Sequence, residues 1–448
     1  MVVALSPTLV TEDEALSLVE TVMQHSQAEE VVVTVSNSEA SLTRYSENQI
    51  SQNVNSTNFS LSITSYFGQR SATASTTELE LEAILTTLNR SEELARIAPE
   101  DPEWVPVLPP QTYADRVPAF DLETAHLSPL VRAQQVQQVC EQSARAKVEG
   151  SGTLSTEAEL YAIGNSQGLR ACNRLTQADF SFTARIDNGS GWTQRTGWSL
   201  AQIPIAELTE TVIERAYAAR NPREVSPGVY PVVFDGAAFD TLLSWVMFNL
   251  DARAADEGRS FMSKVDEQGK PLGNRLGETL FSPQVNVRRD PGHPLLQTGT
   301  FSGGGLKQDQ LDIIKEGVPQ ALAYSRYWAQ KQGVEPRGNM YPFVMQDCDQ
   351  SLDDLIRQTE RGILVNRAWY VRYVNPRTLE VTGMTRDGTF WIEAGKIAYP
   401  IKNLRFNQSL PDMLKAVDGL SRAYRYGSTV SPGVRVSAFN FSSVTDSV

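Results

Sequence analysis

The chain has 448 residues, so at roughly 150 residues per domain its length indicates about three domains. It carries 53 acidic and 40 basic residues, and the resulting formal net charge of −13 disfavours a nucleic-acid binder, which needs a basic face. With 3 Cys and 3 His, the composition excludes a disulfide framework and a Cys-rich structural zinc domain.

The sequence carries no pattern typical of secretion or of membrane insertion. The first five residues are apolar, but the first basic residue is Arg44, so no charged region precedes a signal-like apolar core. The most apolar stretch, residues 241–250, is far shorter than the roughly 20 residues that a spanning helix needs. We therefore expect a cytoplasmic protein with reduced thiols and no membrane partner.

Residues 1–98 are predicted to form an N-terminal α/β domain. Thr11-Glu-Asp-Glu14 has the pattern of a capping box, and apolar residues at helical spacing follow it. A β-branched run over residues 30–36 predicts a strand, and alternating apolar residues over 38–75 predict three more. A second capping box, Thr77-Glu-Leu-Glu80, predicts a closing helix, so the expected order is α-β-β-β-β-α.

Residues 99–127 form a predicted linker, because six of the 23 prolines fall between Pro99 and Pro118. A central α+β domain is predicted over 128–222. Ser128-Pro129 predicts a helix start, Cys140 falls on the apolar face of that helix, and the glycines at 150 and 152 are expected to end it. Three strands should follow, over 160–163, 168–174 and 179–185, and then a helix near 206–220.

Residues 223–448 are predicted to form a large β-rich C-terminal domain. A strand over 229–234 precedes a helix with an apolar stripe from Phe239 to Leu250; Trp245 and Phe248 lie on its other side, so we expect it to be buried nearly all round. Later helices are expected from Ser351 and near 411–419. The predicted fold class is therefore multidomain α+β, with mixed sheets and flanking helices.

No local catalytic or metal-binding motif is visible. His25, His126 and His293 lack a second His or Cys at metal-ligand spacing, and neither G-x-S-x-G nor a phosphate-binding P-loop is present. The segment Phe301-Ser-Gly-Gly-Gly305 is compatible with an anion-binding backbone loop, but equally with a tight loop or a close backbone approach.

Several short segments follow one another in a recognisable order over nearly the whole chain, at Arg44–Ile50, Gly68–Ala72, Arg96–Pro102, Asn165–Gly168, Gly258–Ser260, Gly362–Val365, Asn375–Pro376 and Glu393–Ile397. In this order they resemble the TldD/PmbA family, often labelled modulator of DNA gyrase. The family's D-x-E-G stretch looks replaced by residues 301–305. The resemblance implies the multidomain TldD/PmbA-like fold, with residues 223–448 as the metalloprotease-type domain.

The family has two branches, and the resemblance places this chain with one of them. TldD-type members carry the zinc motif H-E-x-x-x-H on the helix after the strand that opens the third domain. Here Ser244 and Asn249 stand at the ligand positions and Trp245 stands at the position of the catalytic glutamate. Serine and asparagine are poor zinc ligands, and tryptophan cannot move a proton. The resemblance therefore implies the PmbA/TldE-like branch, with no catalytic residue and no metal ligand in this chain.

Three functions remain open at this level. The first is a non-catalytic subunit paired with a zinc-bearing TldD-type subunit that processes unfolded peptides, with Ser260, Gly303, Gly304 and Gly305 as possible cleft-lining residues. The second is a homodimeric protein that binds peptides or small ligands without cutting them. The third is an unrelated enzyme built on Cys348, Asp347 and the glycine-rich loop. Under the first, zinc is expected only in the partner.

Overall fold

The protein is described by a computed structural model covering residues 9–116 and 118–445. The first residues, on which the expectation of no secretory signal rests, lie outside the described part. No helix in the described ranges is both long enough and apolar enough to span a bilayer.

The N-terminal half is an antiparallel sheet with the strand order β3-β2-β1-β4-β5-β6. Its strands are β1 (Glu30–Ser46), β2 (Gln49–Phe67), β3 (Arg70–Thr76), β4 (Glu149–Asn165), β5 (Arg170–Ile186) and β6 (Gly189–Gly197). β1 pairs with β4 from Val32↔Asn165 to Tyr45↔Gly152, so strands of the first and central predicted domains hydrogen-bond within one sheet. That residues 1–98 and 128–222 are two separately folding domains therefore stays a prediction.

Helices cover one face of this sheet. They are α1 (Glu12–His25), α2 (Leu81–Ile97), the short α3 (Leu122–Ala125), α4 (Pro129–Arg145) and α5 (Ile205–Ala218). α1 and α2 pack on inward-facing valines of β1, whereas α4 and α5 pack on Phe180 and Phe182 of β5. Alternate residues of a strand point to opposite faces, so the other face carries polar residues such as Glu159 and Asn173.

In this half of the chain, the helix starts follow the predicted caps at Thr11 and Ser128 but not at Thr77. Thr11 and Glu14 form a complete capping box, and Ser128 caps α4 with Pro129 in its first turn. The capping box predicted at Thr77 is wrong: Glu80 precedes α2 without a side-chain capping bond. β3 extends to Thr76, so the strand ends immediately before Thr77, where the motif predicted the start of a helix. Cys140 is buried, as its helical position indicated.

Strand boundaries differ more from the predictions. Residues 49–67 form one long strand, so the first segment contributes three strands instead of four, because no turn interrupts their alternating pattern. Residues 170–186 are likewise continuous. Gly150 and Gly152 lie inside β4 and do not end α4. A Cβ atom on Gly152 would lie 2.0 Å from the carbonyl oxygen of Ser181, so a glycine is needed here because the neighbouring strand approaches closely.

The C-terminal half is β-rich, as predicted. A long mixed sheet has the path β12-β11-β10-β13-β21-β7-β14-β17-β18, with β15, β16, β19 and β20 attached beside it, and β8 pairs with β9 separately. The strands are β7 (Gly228–Phe234), β8 (Ser263–Val265), β9 (Pro271–Asn274), β10 (Val287–Arg289), β11 (Leu311–Lys315), β12 (Val318–Pro319), β13 (Phe343–Met345), β14 (Arg361–Val365), β15 (Ala368–Asn375), β16 (Glu380–Thr385), β17 (Thr389–Glu393), β18 (Lys396–Pro400), β19 (Leu404–Ser409), β20 (Val417–Tyr426) and β21 (Thr429–Val444).

The helices of this half are α6 (Gly236–Phe248), α7 (Ala252–Asp256), α8 (Arg326–Gln332), α9 (Leu352–Arg357) and α10 (Leu410–Lys415). The predicted helix start at Ser351 is confirmed by a capping box with Asp354. Phe239, Leu243 and Val246 of α6 are fully buried in the main core, but Phe248 is 72% exposed. The expectation that α6 is buried all round is therefore wrong at its last turn, because the core contacts only one side of the helix there.

The proline-rich linker is fixed on the C-terminal half by an arginine. The guanidinium of Arg116 donates hydrogen bonds to the carbonyl oxygens of Pro291 (3.3 Å), Thr298 (2.5 Å) and Gly299 (2.6 Å). These bonds hold the 298–299 segment near the polar face of the first sheet, where Asn173 accepts the backbone N–H of Thr300 at 3.1 Å.

Arg132 is a fully buried cation that joins α4 to the β1–β2 hairpin. Its guanidinium donates to the hydroxyl of Thr43 (2.9 Å) and to the amide oxygens of Asn53 (2.8 Å) and Asn55 (2.9 Å). We expect Arg132→Met to lower the free energy of unfolding by about 1–3 kcal/mol, because the buried hydroxyl of Thr43 loses its donor and the bonds to the exposed Asn53 and Asn55 are lost as well. Urea denaturation should show this loss, whereas Arg145→Met, on the exposed side of the same helix, should change stability by less than about 0.5 kcal/mol.

Candidate functional site

The candidate site is built on α6. β7 leads directly into this helix, and the carboxylate of Asp235 caps it by accepting the N–H of Ala237 at 3.3 Å. The same carboxylate pairs with Arg215 of α5 at 2.9 Å, which ties the start of α6 to the first sheet. The helix then presents Ser244, Trp245 and the C-capping Asn249 on partly exposed positions.

Trp245 and Asn249 are already engaged by protein partners. The rings of Trp245 and Tyr373 meet edge to face with centroids 4.6 Å apart. The side-chain amide of Asn249 donates to the carbonyl of Trp245 at 2.8 Å, and its oxygen accepts the hydroxyl of Tyr373 at 3.0 Å. Both ends of the amide are therefore satisfied within the protein, as expected for a structural helix end.

These residues do not fit the zinc ion that the family motif implies. Zinc in such sites takes imidazole, thiolate or carboxylate ligands, whereas the motif positions here offer a hydroxyl, an indole and an occupied amide. Within residues 9–116 and 118–445, no three His, Cys, Asp or Glu side chains come together as a possible metal site. The motif positions on this helix consequently supply neither the ligands nor the general base that metal-assisted peptide hydrolysis requires.

Asp240 lies one helical turn before Ser244. Its Oδ1 accepts hydrogen bonds from the hydroxyls of Thr429 at 2.6 Å and Ser431 at 2.7 Å, both on β21. Burial raises the pKa of this carboxyl to about 6, although the two hydroxyls favour its charged form. Asp240 thus faces β21 as a structural group.

A cavity of about 410 Å³ lies between the polar face of the first sheet and loops of the C-terminal half. Its lining comes from β4, β5 and three loops, and comprises Glu159, Tyr161, Asn173, Leu175, Thr298, Gly299, Phe301, Ser302, Gly303, Gln308, Asn339, Tyr341, Pro342 and Ser428. We call it the intersheet cleft. Burial raises the pKa of both Glu159 and Tyr161, because the low-polarity surroundings disfavour their charged forms.

Tyr341 connects this cleft to α6. Its ring lines the cleft, and its hydroxyl donates to the carbonyl oxygen of Ser244 at 3.3 Å. Tyr161, on the opposite wall, donates to the carbonyl oxygen of Gly303 at 2.5 Å. α6 and the glycine-rich loop are about sixty residues apart in sequence, but both therefore lie beside the intersheet cleft.

The glycine-rich loop is a tight hairpin that docks on the first sheet. The N–H of Gly305 donates to the carbonyl of Ser302 at 2.8 Å, and Gly305 has a φ of +80°, a conformation that favours glycine. The carbonyl of Gly305 accepts the hydroxyl of Tyr113 at 2.7 Å. Of the predicted cleft-lining residues, Gly303 borders the cleft directly, whereas Gly304 and Gly305 form the loop behind it.

Ser260 lies apart from the cleft. It is 7% exposed, and its hydroxyl donates weakly, at 3.4 Å, to the carbonyl of Asn249 and accepts the N–H of Met262 at 3.2 Å. Ser260 therefore supports the segment that follows α6. A cleft-lining role, which the resemblance implied for it, stays a prediction without a contact that supports it.

The residues of the third hypothesis are held by the backbone of β20. The thiol of Cys348 donates to the carbonyl of Leu420 at 2.8 Å, and Asp347 accepts the N–H of Ala423 at 2.9 Å. Neither residue lines the intersheet cleft. Sequence reasoning missed Tyr161 and Tyr341, since each is a single tyrosine with no motif around it, and only the tertiary fold brings them to α6 and the loop.

Comparisons with known proteins agree with this architecture. Residues 227–443 match the PmbA/TldA metallopeptidase C-terminal domain. Metalloprotease PmbA of Escherichia coli O157:H7 is 23% identical over 91% of this chain and 90% of its own length, and a PmbA homolog of Haemophilus influenzae is 23% identical over 85% of each.

Solved structures show the same fold. A Bacteroides thetaiotaomicron protein, named as a modulator of DNA gyrase, superposes with a TM-score of 0.83 at 19% identity over 97% of this chain and 99% of its own. TldE of Thermococcus kodakarensis gives a TM-score of 0.81 at 17% identity, over 96% of this chain and 99% of its own. At such identities the likeness establishes the fold.

We expect Asp240→Asn to change the pH dependence of stability. The folded protein keeps the Asp240 proton up to about pH 6, whereas the unfolded chain releases it near pH 4, so the wild type loses stability as pH rises between these values. Asparagine does not titrate. The stability of the variant relative to wild type should therefore rise by roughly 2 kcal/mol from pH 4 to pH 7. Denaturation at several pH values measures this; a pH-independent difference would contradict it, and the exposed Asp353→Asn is the matched control.

Proposed function

Since the chain belongs to the PmbA/TldD family, as a PmbA/TldE-type, metallopeptidase-like protein, we propose that it is a non-catalytic subunit of a zinc metalloprotease complex. Its partner would be a TldD-type chain that carries H-E-x-x-x-H and holds the zinc. The complex would process unfolded peptides in the cytoplasm. This chain would contribute the intersheet cleft and no chemistry.

One observation supports the proposal: both the nitrogen and the oxygen of the Asn249 amide are already hydrogen-bonded, to the carbonyl of Trp245 and to the hydroxyl of Tyr373. A helix that kept a latent metal site would hold its ligands free toward a cavity. Here the two aromatic rings pack across the motif, so bringing a zinc ion to this helix would require breaking both contacts.

The end of α6 also exposes apolar surface, as a partner-facing region would. Phe248 is 72% exposed, and on the neighbouring β15 Tyr370, Tyr373 and Val374 are 59%, 39% and 49% exposed. Exposed apolar side chains that lie together are typical of protein–protein contact surfaces. This supports assembly with another chain, which under the leading proposal is the TldD-type subunit.

The purified chain should contain far less than one zinc per molecule by elemental analysis, and it should not cleave an unfolded peptide even with added zinc. Purification of the tagged chain from its native cell should recover a partner that bears H-E-x-x-x-H, and the recovered complex should cleave the same peptide. Stoichiometric zinc in the chain alone, or cleavage by it alone, would overturn the proposal.

The cleft favours one alternative, a homodimeric protein that binds peptides or small ligands without cutting them. A cavity of about 410 Å³ with tyrosine and amide groups has the size of a small-ligand site. Recovery of the native chain only as a homodimer that still binds peptide would favour this alternative over the protease subunit.

Peptide binding in the cleft is testable with neighbouring glycines. A Cβ on Gly303 would lie 3.9 Å from the Tyr161 hydroxyl, at the cleft wall, whereas one on Gly304 meets no atom within 4 Å. Gly303→Trp should therefore fill the cleft and weaken binding of a fluorescent unfolded peptide by about tenfold or more in an anisotropy titration. Gly304→Trp should bind as the wild type does; equal affinities for both variants would place the peptide elsewhere.

A further inference from the structure

A second cavity, of about 290 Å³, lies where the edge strand β6 and helix α5 meet the C-terminal half. We call it the arginine pocket, after Arg195, Arg215 and Arg422 in its lining; Trp192, Tyr424 and Tyr426 supply its aromatic walls. In the described part of the chain it shares no lining residue with the intersheet cleft. The function proposed above makes no use of it.

One of the three guanidinium groups is neutralised within the pocket. Arg215 pairs with Asp235 at 2.9 Å, and both side chains are about one-fifth exposed. The same carboxylate caps α6, so the N-terminal end of that helix adds little further attraction for an anion. Any excess charge must therefore come from Arg195 and Arg422.

Arg195 is held in place without a carboxylate. Its guanidinium lies 4.0 Å from the ring centroid of Tyr424 and 5.3 Å from that of Tyr426, and it donates to the Tyr426 hydroxyl at 3.2 Å. Among the described residues, none supplies an acidic group within 4 Å of Arg195 or Arg422. With Arg215 and Asp235 balanced, the pocket carries an excess of two positive charges in a protein whose net charge is −13.

This arrangement suits an oxyanion. A guanidinium donates through a flat fork that matches the two oxygens of a carboxylate or a phosphate, and stacking on an aromatic ring fixes the orientation of that fork. Arg195 is partly removed from water, which strengthens its attraction for an anion because fewer water molecules screen its charge, whereas Arg422 is exposed. The aromatic walls at Trp192 and Tyr424 offer a surface for the body of an organic anion, and the volume limits it to a small molecule.

We propose that the arginine pocket binds a small organic oxyanion, with Arg195 and Arg422 contacting its negative group. This site goes beyond the protease-subunit function and does not depend on it. The oxyanion is a carboxylate or a phosphate, and the two sources are distinguished by direct binding measurements on the whole chain, which need neither zinc nor a partner.

Isothermal titration calorimetry tests the site with three probes: inorganic phosphate, N-acetyl-dialanine with a free carboxylate, and the amide of the same dipeptide. We expect saturable binding of phosphate or of the free dipeptide, weakened by added salt, and no binding of the amide. Binding of phosphate alone identifies a phosphate-bearing ligand, and binding of the free dipeptide alone identifies a peptide-like carboxylate.

Arg195→Gln and Arg422→Gln should each weaken binding of the active probe by about tenfold or more, because each removes a charge-assisted hydrogen bond. Arg90→Gln, on the exposed side of α2, is the matched control and should bind as the wild type does. Arg422 is exposed, so its variant stays informative if Arg195→Gln fails to fold. Absence of binding for both oxyanions at millimolar concentration, or unchanged affinity in the Arg422 variant, would overturn the proposal.

Discussion

The antiparallel pairing of β1 with β4 is the constraint on which the rest of the structure depends. It joins segments more than one hundred residues apart into a single sheet, so the helices that precede and follow each segment all pack on the same face. The opposite face is left polar, and the C-terminal half meets it through the loop at 298–306. The intersheet cleft exists because that contact is made by loops, which leave space where two packed sheets would not.

The same division of faces explains how α6 stays in place whichever residues stand at positions 244, 245 and 249. Its buried side, with Phe239, Leu243 and Val246, supplies the packing that holds it against β7 and β21. Hydrophobic burial of this kind is insensitive to the polar positions on the other side. On that other side, Tyr373 contacts both the ring of Trp245 and the amide of Asn249.

The sequence predicted most of what depends on local patterns, although the capping box predicted at Thr77 does not form. The helix caps at Thr11, Ser128 and Ser351 were predictable because each depends on a hydroxyl and on an acidic residue or proline within the first helical turn. The glycines of β4 were misinterpreted as a helix end, since their function is to let Tyr45 and β5 approach closely, which only the sheet register reveals. Phe248 was expected to be buried because apolarity alone does not show which side of a helix the core covers.

The residues of the candidate site were likewise predicted only where they belong to a local pattern. The positions of Ser244, Trp245 and Asn249 came from the family pattern on a single helix. The side chains that contact this helix could not be inferred from that pattern. Tyr341 and Tyr373 reach α6 from segments about one hundred and more residues further along, and Tyr161 reaches the loop from the other sheet. Such contacts leave no periodic signal. They also mean that placing histidines at 244 and 249 would supply two imidazoles but not a metal site, because the ring of Tyr373 would still lie against residue 245 and its hydroxyl beside residue 249.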